Sequence, residues 1–250
     1  MIVKPRFARA LLALLIALGA RSALAIDTFE SYPIGLHAAE AYLVRYGQGA
    51  DDDALRGYLA INTLAVGLTG RSHVYACTGL SSTDRYEGGL EWLTAGYFQT
   101  LVDQQALDVD GWAELGARGP GLETATRELG VEVNYDGPRG GLFFRGTQRW
   151  ERDGENEGGD PVVGLRRRFS YGIHFKLGPA AQLLAELRQE RLADYQSLES
   201  GSRTESWALG FNRKLNQTAE LILEARAMEP PADSELDRSW DLTLGWVVVW

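Results

Sequence analysis

The stretch SWDLTLGWVVVW, residues 239–250, decides the fold. Trp240, Leu242, Leu244, Trp246, Val248 and Trp250 take every second place. Ser239, Asp241, Thr243, Gly245, Val247 and Val249 stand between them. A period of two is that of a β-strand with one apolar face. The last residue of the sequence is a large apolar one, still in phase, where chain ends are ordinarily polar and frayed. Such a strand is expected to have paired edges and an apolar medium outside it.

The other end carries a different pattern. Lys4, Arg6 and Arg9 form a basic start, Ala10 to Ala20 an apolar run, and Ala23-Leu24-Ala25 a small-residue cleavage motif. Residues 1–25 are expected to be a secretory signal peptide, cut after Ala25, and 26–250 the mature domain. No other apolar run reaches the roughly 20 residues of a transmembrane helix. The signal segment takes four basic residues and no acid from a chain of net charge −9, leaving −13. That acidity excludes nucleic acid as an expected partner. Cys77 is the single cysteine, so no internal disulfide can form.

The alternation of the last strand recurs through the mature chain. Leu107, Val109, Gly111, Ala113 and Leu115 oppose Asp108, Asp110, Trp112 and Glu114. Leu129, Val131, Val133 and Tyr135 oppose Glu128, Gly130, Glu132 and Asn134. Tyr171, Ile173, Phe175 and Leu177 oppose Ser170, Gly172, His174 and Lys176. The segments AAQLLAELRQER and TAELILEARAM are rich in helix formers, yet they also fit a period of two and follow short turns; strands are expected there. Twelve strands are predicted, with ten as the alternative, at 36–46, 55–68, 72–81, 85–100, 105–116, 124–135, 141–152, 163–177, 180–191, 203–215, 218–229 and 236–250. Short turns alternate with longer polar connections, the short loop 81–84 being the exception. This is the layout of an all-β, up-and-down antiparallel transmembrane barrel with short periplasmic turns and longer extracellular loops. A secreted β-sandwich or lipocalin-like barrel would alternate too. The charge carried by the polar face of nearly every strand, and Trp250, favour the membrane barrel.

On these residues the mature chain resembles Gram-negative outer-membrane β-barrel proteins as a class. Leu242, Leu244, Trp246, Val248 and Trp250 look like the C-terminal signal that the outer-membrane assembly machinery recognises. The resemblance implies location in the bacterial outer membrane, among its lipid and lipopolysaccharide. GLTGRSHVYACTGL, with Gly67, Leu68, Thr69 and Arg71, is also similar to the strand–turn–strand units of MetA-type barrels of phenol-degradation pathways. No functional residue carries over from that likeness.

No catalytic set is visible. The histidines are His37, His73 and His174, and none has a Ser two places after it. Ser72 and His73 are adjacent, so on a strand they point to opposite faces. No zinc spacing exists. The acidic stretch from Asp153 lacks the closing Glu of a calcium loop, since Gly164 stands there. No cofactor, metal or enzymatic activity is expected. The acidic loop residues Asp51, Asp52, Asp53, Asp233, Glu235 and Asp237 could share divalent cations with lipopolysaccharide phosphates.

The strongest functional signal is charge on the inward faces. Asp108, Asp110, Glu114, Glu128 and Glu132 form an acidic wall on the fifth and sixth strands. Arg145, Arg149, Arg168, His174 and Lys176 form a basic wall on the next two. Charges in a membrane protein mark a water-filled path or an internal ion-pair network. The expected function is a narrow channel for small solutes or ions. The alternative is a non-transporting barrel, structural or partner-binding, that acts through its acidic loops.

Overall fold

A computed structural model describes residues 35–48, 55–84, 88–119, 121–155, 161–193, 203–229 and 238–250. The expected signal peptide, and the loop acids Asp51–Asp53, Asp233, Glu235 and Asp237, lie outside them. The strands are β1 (His37–Gln48), β2 (Leu55–Thr69), β3 (Ser72–Thr83), β4 (Gly89–Gln104), β5 (Leu107–Arg118) and β6 (Thr124–Gly137). They continue as β7 (Gly140–Glu155), β8 (Pro161–Gly178), β9 (Ala181–Ala193), β10 (Arg203–Asn216), β11 (Ala219–Glu229) and β12 (Ser239–Val249). Each pairs antiparallel with its sequence neighbours, and β1 pairs with β12, closing a twelve-stranded barrel.

The two helix-former-rich segments are the strands β9 and β11. Neighbouring strands satisfy their backbone groups and override a propensity worth only tenths of a kcal/mol per residue. Most boundaries lie within three residues of the sequence reading, and the largest difference is at β4. The fourth strand was expected at 85–100 and runs Gly89–Gln104. A bulge between Thr100 and Val102 leaves Leu101 without a partner on β5, so the alternation breaks there while the pairing continues. Likewise β3 runs through Ser81 and Ser82 to Thr83, past the end expected at 81.

Five connections are two residues long (70–71, 105–106, 138–139, 179–180 and 217–218), all at one end of the barrel. The others are longer and lie at the opposite end. The seam between β1 and β12 runs from Ala38↔Val249 to Gln48↔Ser239, and the pairing of His37 with Trp250 sets the start of β1 and the end of β12 at the short-turn end. His37 N donates to Trp250 O at 2.8 Å and Trp250 N donates to His37 O at 2.9 Å, and the two rings stack at 5.9 Å.

The outer wall is apolar and exposed. Leu64 (61%), Leu115 (64%) and Leu209 (70%) stand out from it. A soluble protein rarely leaves so continuous an apolar surface to water, while a membrane barrel presents it to lipid. An apolar groove of about 580 Å³ also lies on this outer wall, where Leu43, Leu183, Leu209, Leu223, Leu242 and Leu244 line it.

Inside, large rings lie flat across glycines of the next strand. A Cβ added to Gly130 would meet the Trp112 ring at 2.1 Å, one on Gly172 the Phe143 ring at 2.0 Å, and one on Gly96 the Tyr75 ring at 2.3 Å. Small inward residues therefore make room for large ones opposite. Gly130→Val is expected to destabilise the barrel by about 1–3 kcal/mol through overpacking. Gly111→Ala, whose Cβ would meet nothing nearer than Leu101 at 3.4 Å, should be near neutral. Urea unfolding in lipid vesicles measures both.

Candidate functional site

Residues that pair directly across two antiparallel strands share a face, so register decides what the lumen contains. Ala38↔Val249 and Ala38↔Ala65, all buried, set the inward phase. Following that phase through the pairings brings the inward charges into rows across the strands.

In one row Glu114 of β5 faces Glu128 of β6, which faces Arg149 of β7, which faces Arg166 of β8. In a second row Asp110, Glu132, Arg145 and Ser170 stand in the same order. Like charges directly opposite destabilise a sheet. Here each acid–acid pair is followed at once by a base. Arg149 Nε donates to Glu128 Oε2 at 2.7 Å, and Arg145 holds Glu132 through Nε and Nη2. The Arg145 guanidinium also lies 5.5 Å over the Trp112 ring, whose Nε1 donates to Glu128 at 3.3 Å. The remaining acid of each pair takes a neutral donor: Tyr75 Oη donates to Glu114 at 3.3 Å and Thr100 Oγ1 to Asp110 at 2.7 Å.

Further round the barrel the pairing continues. Arg166 and Arg168 both hold Glu190, the latter at 3.1 Å, and Arg118 lies 3.4 Å from Glu151. Arg226 Nη1 reaches Glu186 at 3.1 Å and its Nη2 reaches Glu224 at 2.9 Å. At the short-turn end, Asp136 accepts from Lys176 at 2.6 Å and lies 2.9 Å from His174 Nε2. Of the ten residues expected to line the lumen, Asp110, Glu128, Glu132 and Arg145 are buried. Asp108, Glu114, Arg149, Arg168 and His174 are half-buried, and Lys176 is exposed near the turn. In register, acids of β5 and β6 lie next to bases of β7 and β8, and most of these charges are paired.

One element of the lumen was missed by the sequence reading. Tyr75, Phe98, Trp112, Phe143, Leu184 and Ile222 form one buried apolar cluster with Ala38, Ala65, Val247 and Val249. Every member lies within about six residues of the short-turn end of its strand, so together they make an apolar layer across that half of the lumen. His73 stacks on Phe98 at 4.7 Å within it. Beside the layer, the space among Phe143, Leu184, Glu186, Ala208, Gly210 and Glu224 is about 10 Å³, room for one water at most. The sequence signal was present as consecutive apolar residues, which put an apolar side chain on both faces: Tyr97-Phe98, Phe143-Phe144, Leu183-Leu184, Leu221-Ile222-Leu223 and Val247-Val248-Val249.

On the outer face of the last strand, Leu242, Leu244, Trp246 and Trp250 are exposed, and Val248, in the same phase, is buried between Ala39 and Ala219. Trp240 covers Gly47, with Arg45 6.0 Å from its ring.

No protein-family model and no curated protein matches the chain. Solved structures do. An outer-membrane channel from Pseudomonas putida F1 superposes with a TM-score of 0.68 at 12% identity, over 91% of this chain and 100% of that one. The translocator domain of the autotransporter NalP from Neisseria meningitidis gives 0.59 at 14% identity, over 98% of this chain and 95% of that one. The NanC porin gives 0.58 at 8% identity, over 83% and 98%. At these identities the likeness is one of fold. Together with the apolar outer wall and the closed strand order, it gives this chain the fold of bacterial outer-membrane β-barrel proteins.

Proposed function

We propose that this protein is a narrow outer-membrane passage for small charged solutes or ions, without catalysis. The long connections face outward and the short turns face the periplasm. Solutes entering from the long-loop end first meet the row Glu114, Glu128, Arg149 and Arg166, whose dipole across the lumen orients them. The apolar layer at the short-turn end then limits flow, as hydrophobic constrictions do when they shed water. The observation that carries this reading is the order within the two rows, where acids of β5 and β6 give way to bases of β7 and β8 across one inward surface. Within the same reading, Leu242, Leu244, Trp246, Val248 and Trp250 present the strand that the assembly machinery recognises.

Selectivity tests it. Arg145 is buried against Glu132, so reversing its charge would chiefly strain that pair. Arg166 and Arg168 retain 26% and 27% side-chain exposure and serve better. A reversed charge about 4 Å from a passing ion in water is worth roughly 1 kcal/mol. Arg166→Glu with Arg168→Glu is expected to move the reversal potential under a salt gradient toward cations, by a severalfold change in permeability ratio. Unchanged selectivity would remove the inward charges from the conduction path.

The second reading is a non-transporting barrel. The apolar layer and the pairing of the inward charges favour it, since both resemble the interior of a filled barrel. A barrel that folds in lipid but never conducts would establish it.

A further inference from the structure

On β6 to β10 the outward charges described gather at the long-loop end, Arg213 apart. On β6 to β10 the side chains Arg127, Arg152, Arg167, Arg191 and Arg203 take outward positions toward that end, all exposed. At the short-turn end of the same strands, Arg213 is the outward-facing cation among the described residues.

Three of these arginines form a row. Arg167 of β8 stands directly opposite Arg191 of β9, and Arg191 directly opposite Arg203 of β10. Cations in register on neighbouring strands, about 5 Å apart, repel one another. The local compensation is incomplete. Arg203 is paired with Glu205, the one outward acid described on these five strands. Arg167 Nε reaches only the neutral Gln148 Oε1, at 3.4 Å. Arg191 has no acidic partner among the described residues.

The position of the row narrows what can complete it. Tyr171, Leu187 and Trp207 form the parallel row four residues nearer the barrel's middle, with Tyr171 and Trp207 exposed. Beyond them toward the short turns, the outward residues Ile173, Phe175, Leu183, Leu209 and Phe211 are apolar. Four residues of strand tilted by about 45° rise roughly 9 Å along the membrane normal. Aromatic rings mark the interface, so the guanidinium groups lie at headgroup depth, beside lipid and outside the lumen. Guanidinium groups bind phosphate through paired N–H donors.

We propose that Arg167, Arg191 and Arg203 form a docking site for the phosphate groups of lipopolysaccharide in the outer leaflet. The site rests on the orientation given under the proposed function, with the long connections outside. Bound phosphate relieves the repulsion along the row and ties the wall formed by β8, β9 and β10 to the surrounding lipid.

Native mass spectrometry of the detergent-purified barrel, titrated with bisphosphorylated lipid A and with its dephosphorylated form, tests this. The wild type is expected to prefer the bisphosphorylated form. The triple variant Arg167→Gln, Arg191→Gln, Arg203→Gln should bind that form at least tenfold more weakly, and Arg191→Gln alone should weaken it measurably. Arg213→Gln, at the opposite end, should bind as the wild type does. Equal binding of both lipids by the wild type, or wild-type affinity in a triple variant that keeps its heat-shifted mobility, overturns the site. Bilayer recordings separate this from the channel reading: lost lipid A binding with unchanged conductance supports the site. A silent wild type that still prefers the bisphosphorylated lipid keeps the site and overturns the channel.

Discussion

Replacing Phe98 and Trp112 together by Ala is expected to raise single-channel conductance severalfold. The two side chains face each other across β4 and β5, both inward, and both belong to the apolar layer. Phe98 is 0% exposed and Trp112 7%. Aromatic side chains of this size bury about 150–250 Å² each, so their loss opens a substantial void. Glu114 and Glu128 lie on the neighbouring inward positions and Trp112 already donates to Glu128, so the void has polar groups to hold water. A wet gap in place of a dry constriction is a conducting one. Each truncation costs about 3–5 kcal/mol in a packed interior. Phe98→Leu with Trp112→Phe, a milder pair, should therefore show the same direction with the fold retained. Unchanged conductance in a folded double variant would place the resistance elsewhere.

Deleting Trp250 is expected to lower the yield of folded barrel by one to two decades. The reason is the seam. His37 and Trp250 exchange two backbone hydrogen bonds, at 2.8 and 2.9 Å, at the short-turn end of the β1–β12 pairing. At about 0.5–1.5 kcal/mol each, two lost bonds correspond to roughly one to two decades in the folding equilibrium constant, which shows in the yield where closing the seam limits assembly. The unpaired edge left behind is also open to pairing with other chains. Removing residues 27–33, by contrast, should leave yield nearly unchanged. Trp250→Phe should restore most of the yield, because it keeps the backbone rung and a ring to stack on His37; Trp250→Asp keeps the rung but loses the ring and sets a carboxylate on the apolar wall, so it should restore less. Heat-shifted mobility after refolding into detergent reports the folded fraction. Equal yields for the deletion and the wild type would show that the seam closes without this rung.

The barrel was legible because its pattern is set by a solvent boundary. Each strand meets lipid on one face, so period two survives even in β9 and β11, whose residues favour helix. It failed at β4, where a bulge after Thr100 shifts the phase by one residue; alternation cannot reveal a residue that hydrogen bonding skips. The inward charges were legible for the same reason as the fold. Their pairing was not, since it depends on register across strands: Glu128 meets Arg149 because β6 and β7 join through a two-residue turn, and Glu114 meets Glu128 through the longer connection at 119–123. The apolar layer was hidden differently. Phe98, Phe143, Leu184 and Ile222 each follow another apolar residue, and a doublet on a strand read for alternation looks like noise. Only the placement of all these doublets at one end shows that they pack together.

Planar-bilayer recording of the purified wild-type barrel tests the central reading most directly. Discrete conductance steps, with a current that depends on the charge of the ion, are predicted. A barrel that inserts and shows heat-shifted mobility, yet passes no current at any voltage, would contradict it and leave the filled, non-transporting barrel in its place.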